Sequence, residues 1–163
     1  MTAQNIVKEC RMQHPNDKYI QELLIAVNKS AFPAHISMKL TSIDMDHATL
    51  ELPLSDYHLQ LYGIVHGGVL ATLIDTATFW AVFMRQPENA GLVNVDLKLN
   101  YLQSVASGTL IAKGRCIRAG NSLSYAEASI KDENSVLIAH GTSTLMTLPD
   151  KGLRLTARKF IFD

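Results

Sequence analysis

The chain has 163 residues, of which 47% are hydrophobic, and its 15 basic side chains balance 15 acidic ones. This size and composition predict one globular domain with a core of its own. A nucleic-acid partner is not expected, because phosphate backbones are bound by strongly basic surfaces. A small anionic ligand is still compatible with the balanced charge, since a few well-placed cations suffice to hold one.

The cysteine content favours a reducing, cytoplasmic location. Cys10 and Cys116 lie far apart in the chain and predict neither a disulfide framework nor a zinc site. The first residues lack the continuous apolar stretch of a secretory signal. Residues 61–84 are apolar enough to raise the question of a membrane span, but they contain Asp75, and a carboxylate inside a membrane is costly. The six histidines lack metal-ligand spacing, and neither a metal nor a cofactor is expected.

Residues 1–33 are predicted to form an N-terminal helical segment. Apolar residues recur there at intervals of three and four, as on one face of a helix: Ile6, Val7, Cys10, Ile20, Leu23, Leu24 and Val27. Asn16 or Asp17 is suited to cap the second of two helices. Pro33 is expected to break that helix, because proline disfavours helical geometry in the residue before it.

Residues 34–148 are predicted to form the main domain, which opens with two strands. Apolar and polar residues alternate over residues 36–54, with a slip of phase that indicates a turn at Asp46-His47. A long helix then begins at His66-Gly67-Gly68 and ends before Gln86–Asn89. This helix is apolar nearly all round, which is typical of a helix wrapped by other elements.

The remaining sequence predicts four strands and a tail. Residues 92–102 alternate strictly, with Asn94 on the polar side, and three more β-rich runs follow: 108–117, 122–130 and 136–148. Turns are expected at Gly120-Asn121 and at residues 132–135. One twisted antiparallel sheet wrapped around a single long helix accounts for this order, which is an α+β fold. Residues 149–163 carry four basic side chains and are expected to be a loose arm.

Asp75 is the most informative single residue, because it lies two turns into the most apolar helix. Burying a lone carboxylate costs several kcal/mol, so such a group usually has a partner or a chemical purpose. A structural interpretation is equally open at this point. Three threonines of the same helix supply a polar stripe or a neighbouring donor for the carboxylate: Thr72, Thr76 and Thr78.

The glycine pair at the start of this helix favours a ligand site. The first N–H groups of a helix have no intrahelical acceptor and lie at the positive end of its dipole. Glycine lets a ligand approach that backbone closely, so Gly67 and Gly68 suit a developing oxyanion. Gly68 and Asp75 share one helical face but are about 10 Å apart along the axis. The two groups are therefore expected to meet across a dimer interface, although close helix-to-sheet packing would also explain the glycines.

The run Gly63–Asp75 resembles the signature of hot-dog acyl-CoA thioesterases of the PaaI-like group. Val95–Leu102 resembles the strand that follows the helix in that family, and Ala126–Ala128 and Ala139–Thr144 resemble its last two strands. The similarity covers roughly residues 35–148. It implies a hot-dog fold and hydrolysis of acyl-CoA.

The resemblance also implies roles for particular residues. The backbone N–H of Gly67 would polarise the thioester carbonyl, and Asp75 of the partner subunit would act as general base or as nucleophile. Gln60 lies where relatives carry Asn or Gln to assist at the carbonyl. Asn94 lies near the position where some relatives hold the attacking water with Ser or Thr, and it departs from that pattern. His66 either shapes the loop, its ring bonded to backbone, or transfers a proton.

The CoA moiety and the acyl group are assigned to two further places. The turn that contains Arg118, Gly120 and Asn121 corresponds to a loop that lies near the pantetheine and nucleotide in relatives, and Arg118 is suited to meet a phosphate. A solvated hairpin is the alternative. The acyl group is expected among apolar helix residues such as Phe79, which are otherwise plain core.

Two other functions are considered for this fold. A non-catalytic acyl-CoA or lipid-binding module would use the same pocket, and a hydratase or dehydratase would need a His and acid arrangement that the sequence does not show. Because the site needs two subunits, a homodimer is the minimum assembly. Relatives that pair dimers imply a homotetramer.

Overall fold

The computed structural model describes residues 13–162, and the helix predicted around Ile6, Val7 and Cys10 lies outside them. The described chain begins with a short strand, β1 (Gln13–Pro15), followed by helix α1 (Asp17–Lys29). Asn16 caps α1 as predicted, and its side chain accepts the N–H of Lys18 at 3.1 Å. Of the apolar positions predicted for this helix, Leu23 and Val27 are buried together with Tyr19, while Ile20 and Leu24 are partly buried against the same core.

The break predicted at Pro33 is wrong in detail. Helix α1 ends at Lys29, and Ser30 is extended. Pro33 then lies inside a second, one-turn helix, α2 (Ala31–His35). The proline is tolerated there because it occupies the first turn, where a missing N–H leaves no intrahelical bond unmade.

Six strands form one antiparallel sheet: β2 (Lys39–Ile43), β3 (His47–Pro53), β4 (Gly91–Tyr101), β5 (Thr109–Arg118), β6 (Leu123–Lys131) and β7 (Leu137–Leu148). Their order across the sheet is β2-β3-β5-β6-β7-β4, so β2 and β4 are its edges within the described residues. The turn between β2 and β3 falls slightly earlier than predicted. It is closed by the Asp44 carboxylate, which accepts the N–H groups of Asp46 and His47.

Helix α3 (Gly67–Phe83) lies across one face of this sheet and forms the centre of the core. Leu73, Ile74 and Ala77 are completely buried. Gly114 permits the close approach, because a Cβ there would overlap the carbonyl oxygen of Ala77. The hot-dog arrangement of one helix wrapped by an antiparallel sheet is thereby confirmed. Within residues 13–162, no helix is long and apolar enough to cross a membrane.

The strict alternation predicted for residues 92–102 is wrong at one position. The pairing of β4 with β7 shifts register between Asn94 and Asp96, so Val95 forms a bulge. A bulge adds one residue to one strand, so the side chains before it point to the opposite face of the sheet from the one that strict alternation predicts. Asn94 therefore faces α3, on the same side as Tyr101, instead of the opposite side. An alternating pattern cannot reveal this, since both of the residues next to Val95 are polar.

The C-terminal residues are not the loose arm that the sequence predicted. Strand β8 (Phe160–Phe162) pairs antiparallel with β1. Lys159 is 0% exposed, and its Nζ donates to the carbonyl oxygens of Phe83 at 2.6 Å and Gln86 at 2.9 Å. Burial lowers the pKa of Lys159 to about 7. The final carbonyls of a helix have no intrahelical donor, so this lysine caps the helix that carries Asp75.

Candidate active site

The first turn of α3 leaves one backbone N–H available. His66 is the N-cap residue, and its Nδ1 accepts the N–H of Gly68 at 2.8 Å. The N–H of Gly68 is thus bound by the His66 ring. The N–H of Gly67 has no acceptor among the described residues, as is usual for the first residue of a helix. Gly67 therefore presents the free donor at the positive end of α3, and His66 has the backbone bond expected of a loop-shaping residue.

A cavity of about 320 Å³ adjoins Gly67. Gln60 lines this cavity, so the structure brings together two of the residues assigned to the carbonyl site. The walls are otherwise largely apolar and include Ile64, Val65, Leu70 and Tyr101. This volume lies near the low end of the range of small-molecule sites, about 300–1,000 Å³.

Tyr101, which sequence reasoning missed, lies directly against Gly67. Its hydroxyl donates to the carbonyl oxygen of Gly67 at 3.3 Å. A Cβ added to Gly67 would lie 3.0 Å from that hydroxyl oxygen, so the tyrosine covers the glycine closely. The sequence carries one weak signal of this contact: Tyr101 ends the strand after α3, at the edge of the sheet where α3 begins. Nothing in the sequence alone distinguishes it from other strand tyrosines.

Asp75 is half-buried and has a specific partner. The side-chain N–H₂ group of Asn94 donates to Asp75 Oδ1 at 2.7 Å and to its backbone oxygen at 3.1 Å. Burial raises the pKa of the Asp75 carboxyl, and the hydrogen bond from Asn94 opposes that rise. The threonine stripe considered from the sequence does not supply this donor, since the hydroxyls of Thr72 and Thr78 bind backbone oxygens or Ser143.

Asn94 also has an unused acceptor beside the carboxylate. Its Oδ1 is buried and has no hydrogen-bond partner within residues 13–162. Buried acceptors of this kind are normally satisfied by water or by a partner molecule. The same amide thus holds Asp75 through its nitrogen and offers its oxygen to a water, which supports the water-holding role expected of Asn94.

Replacing Asn94 by leucine is expected to move the acid limb of activity to higher pH. The hydrogen bond favours the charged carboxylate, so its loss raises the pKa of Asp75 further above the ordinary value. Asp75 is then ionised only at higher pH, so any activity that needs its charged form moves with it. The measurement is kcat/KM against pH. Asn94→Ser, which keeps a donor, should shift the limb less, and an unmoved limb in Asn94→Leu would contradict the assignment.

The N–H of Gly67 and the carboxylate of Asp75 do not meet within one chain. Gly67 and Asp75 are eight residues apart on α3, which is about 12 Å along a helix. The cavity at Gly67 does not reach Asp75. A thioester carbonyl bound at Gly67 is therefore out of reach of the Asp75 of the same chain.

Phe79 lies one turn beyond Asp75 on the same side of α3. Its ring contacts Trp80 edge-on, with 4.9 Å between the centroids, and is stacked with Phe83 at 6.3 Å. Phe79 is only partly buried, unlike these two neighbours. Phe79 thus packs against the core while part of its side chain stays exposed.

The turn that was assigned to CoA lies at the far end of α3 from Gly67. The N–H of Gly120 donates to Ser124 Oγ at 3.3 Å, and that hydroxyl contacts Gln86, just beyond the end of α3. Arg118 and Asn121 are exposed beside it. Within one chain, the structure does not bring these residues to the cavity at Gly67.

The chain is similar in sequence to known thioesterases and esterases. Residues 62–139 match the family model described as the Thioesterase superfamily. A provisionally named esterase from Haemophilus influenzae is 24% identical over 115 residues, which cover 71% of this chain and 83% of that protein. A second one, from Halobacterium salinarum, is 43% identical over 70 residues, which cover 42% of this chain and 46% of that protein.

Solved structures show the same fold. A thioesterase from Haemophilus influenzae has a TM-score of 0.74 at 22% identity and covers 85% of this chain and 94% of its own. A thioesterase family protein from Silicibacter pomeroyi has a TM-score of 0.73 at 24% identity, covering 80% and 98%. Together the matches support thioester hydrolysis in general terms. Residues 62–139 are therefore similar in sequence to the Thioesterase superfamily, and the chain has the hot-dog fold of these solved structures.

Proposed function

We propose that the chain hydrolyses acyl-CoA thioesters to a free acid and CoA, at a site shared by two copies. One observation carries this proposal: α3 presents the free N–H of Gly67 at one point and the half-buried carboxylate of Asp75 about 12 Å further along. Two such groups separated on one helix suit a symmetric pair of sites. In each site, one copy supplies the amide and the other copy supplies the acid.

The chemistry follows from these two groups. The carbonyl oxygen of the thioester accepts the N–H of Gly67, and the helix dipole stabilises the negative charge that develops on it. Gln60, which lines the same cavity, assists at that oxygen. The partner's Asp75 either removes a proton from the attacking water or attacks the carbonyl carbon itself. When water attacks, the carbon–sulfur bond breaks and the thiolate leaves with the proton that Asp75 took from the water. When Asp75 attacks, the same bond breaks and a mixed anhydride forms on Asp75, which water then hydrolyses to the free acid while the thiolate takes up a proton.

The edge strand β4 supports the dimer. Within the described residues β4 pairs only with β7, so its outer edge offers unpaired backbone groups along eleven residues. Asn94, near one end of β4, contacts Asp75, and Tyr101, at the other end, contacts Gly67. An antiparallel pairing of two β4 strands, with its twofold axis near their middle, places the Asp75 region of one copy beside the Gly67 region of the other.

The same pairing assigns a place to CoA. Because the partner strand runs in the opposite direction, the partner's turn between β5 and β6 comes to the end of the joined sheet where Gly67 lies. Arg118 of that turn is exposed and meets a CoA phosphate in this proposal, with Gly120 and Asn121 beside it. Phe79, one turn beyond Asp75 on α3 and only partly buried, contacts the acyl group in this proposal.

The proposed assembly is a homotetramer of two such dimers, and the proposed location is the cytoplasm. The outer face of the sheet carries an exposed apolar patch that suits a second dimer, formed by Leu123, Tyr125 and Met146. The two isolated cysteines support the cytoplasmic location.

The decisive experiment is release of free thiol from a panel of acyl-CoA substrates by the purified protein. We expect turnover of at least one acyl-CoA, with one thiol released per acid formed. A non-catalytic acyl-CoA-binding module is the second candidate, and the Asp75–Asn94 hydrogen bond favours it, because it satisfies the carboxylate structurally. Tight binding of acyl-CoA without thiol release over hours would replace the first candidate by the second.

A further inference from the structure

Within residues 13–162, no charged side chain lines the cavity beside Gly67. Its polar members are amides and hydroxyls such as Gln60 and Tyr101, and its deeper wall consists of apolar residues such as Val65 and Leu70, which are buried. Moving an ionised group into such a place without a partner costs several kcal/mol. Neither the phosphates of CoA nor an acyl group that ends in a carboxylate suits this cavity.

Tyr101 is the wall of the cavity that lies nearest to the free amide. Its ring and hydroxyl lie 3.0–3.3 Å from the position of a Cβ on Gly67. A thioester whose carbonyl oxygen accepts the N–H of Gly67 lies in the cavity that this ring lines, so one of the two groups on its carbonyl carbon lies near Tyr101. The ring is placed there by the hydrogen bond that its hydroxyl donates to the carbonyl oxygen of Gly67 at 3.3 Å.

We propose that Tyr101 is the residue that limits the size of the acyl group, and that the substrates are CoA thioesters of small, uncharged acyl groups. This inference rests on the proposed thioesterase function and adds the substrate class to it. The tyrosine ring lines the cavity of about 320 Å³, so an acyl group too bulky for that space meets the ring. Removing the ring enlarges the cavity without opening a hole in the core, since Tyr101 is 58% exposed.

The test compares wild type, Tyr101→Phe and Tyr101→Ala in thiol release from acetyl-, butyryl-, octanoyl-, dodecanoyl- and benzoyl-CoA. We expect the wild type to prefer the short acyl groups. Tyr101→Ala should raise kcat/KM for octanoyl-CoA relative to acetyl-CoA at least about tenfold, since one methylene in an apolar pocket already discriminates by about 10–200-fold. Tyr101→Phe, which keeps the ring, should leave the order of preference unchanged.

Two outcomes would overturn the inference. If Tyr101→Ala lowers kcat/KM by the same factor for every acyl group, the ring only supports the fold of the first turn. If inhibition by free CoA weakens in Tyr101→Ala while the acyl preference stays, the ring contacts the pantetheine arm instead. Thermal unfolding of both variants checks that they are folded.

Failure of the proposed function gives a different result. In that case the wild type releases no thiol from any of the five substrates. The acyl preference is then measured as dissociation constants of the same five acyl-CoAs by calorimetry. The shift toward octanoyl-CoA in Tyr101→Ala is still expected there, and its absence would overturn the size limit independently of catalysis.

Discussion

Replacing Asp75 by asparagine is expected to lower kcat for acyl-CoA hydrolysis at least about 100-fold, the lower end of what a positioned general base contributes. Asparagine has almost the same shape and can still accept the hydrogen bond from Asn94, but it can neither take a proton from water nor attack the carbonyl. The measurement is thiol release under saturating substrate. Asp96→Asn is a matched control, because Asp96 is an exposed acid of β4 that projects away from α3.

The same substitution should leave stability unchanged or increase it. Burial raises the pKa of Asp75 in the folded protein, so the folded chain binds a proton there more tightly than the unfolded chain does. The contribution of Asp75 to stability therefore falls as pH rises above the ordinary carboxyl pKa, and the ionised group is destabilising at neutral pH. The melting temperature of Asp75→Asn at pH 7 should equal or exceed that of the wild type. Undiminished turnover by a folded Asp75→Asn protein would refute the mechanism.

The sequence predicted the main elements well because their signals are local. The cap at Asn16, the start of α3 at His66 and the four strands after it follow from capping residues, glycines and alternating hydrophobicity. These signals depend on backbone hydrogen bonds and burial within a few residues. The hot-dog fold then follows from packing one apolar helix against one sheet.

The errors have a different physical origin, since each involves residues far apart in sequence. The bulge at Val95 appears only when β4 is paired with β7. The tail is ordered because Lys159 meets the carbonyl oxygens at the end of α3, 73 and 76 residues earlier. A basic residue in a polar tail gives no sign of such a cap.

The residues of the candidate site also divide into those that a local pattern predicts and those that only distant contacts reveal. Gly67 and Asp75 could be selected from local pattern, because both lie on one helix. The contact of Asn94 with Asp75 was not visible, because strict alternation places Asn94 on the wrong face of β4. Tyr101 was not visible either, since its contact with Gly67 spans 34 residues. The bulge explains both contacts. Asn94 and Tyr101 are separated by an odd number of positions, so strict alternation would place them on opposite faces, and the bulge brings both to the face that meets α3.

Two inactive variants are expected to restore activity to each other when they form mixed dimers. Gly67→Pro removes the N–H that binds the carbonyl oxygen, and loss of such a donor costs about 10²–10³ in kcat. Proline is suited to this position, because it is the first helical residue and His66 before it is extended, with φ −65° and ψ 135°. Asp75→Asn removes the acid. Each homodimer then lacks one essential group in both of its sites.

A mixed dimer of the two variants contains one site in which both groups are intact and one site in which both are lost. Random mixing makes half of the dimers mixed, so activity should recover to about a quarter of the wild-type value for a twofold-symmetric pair. The measurement is thiol release after the two variants are unfolded, combined and refolded together, or after they are co-expressed. Separate refolding of each variant gives the background.

Gly67→Ala is the matched control for the proline variant. It adds the same Cβ beside the Tyr101 hydroxyl but keeps the N–H, so the difference between the two variants isolates the amide donor. Recovery in the mixture requires that the amide and the acid of one site come from different chains. If both came from the same chain, every site in the mixture would carry one of the two lesions, and activity would stay at the background level. That result would contradict the shared site. It would require a single-chain site in which another group bridges the roughly 12 Å between Gly67 and Asp75 along α3.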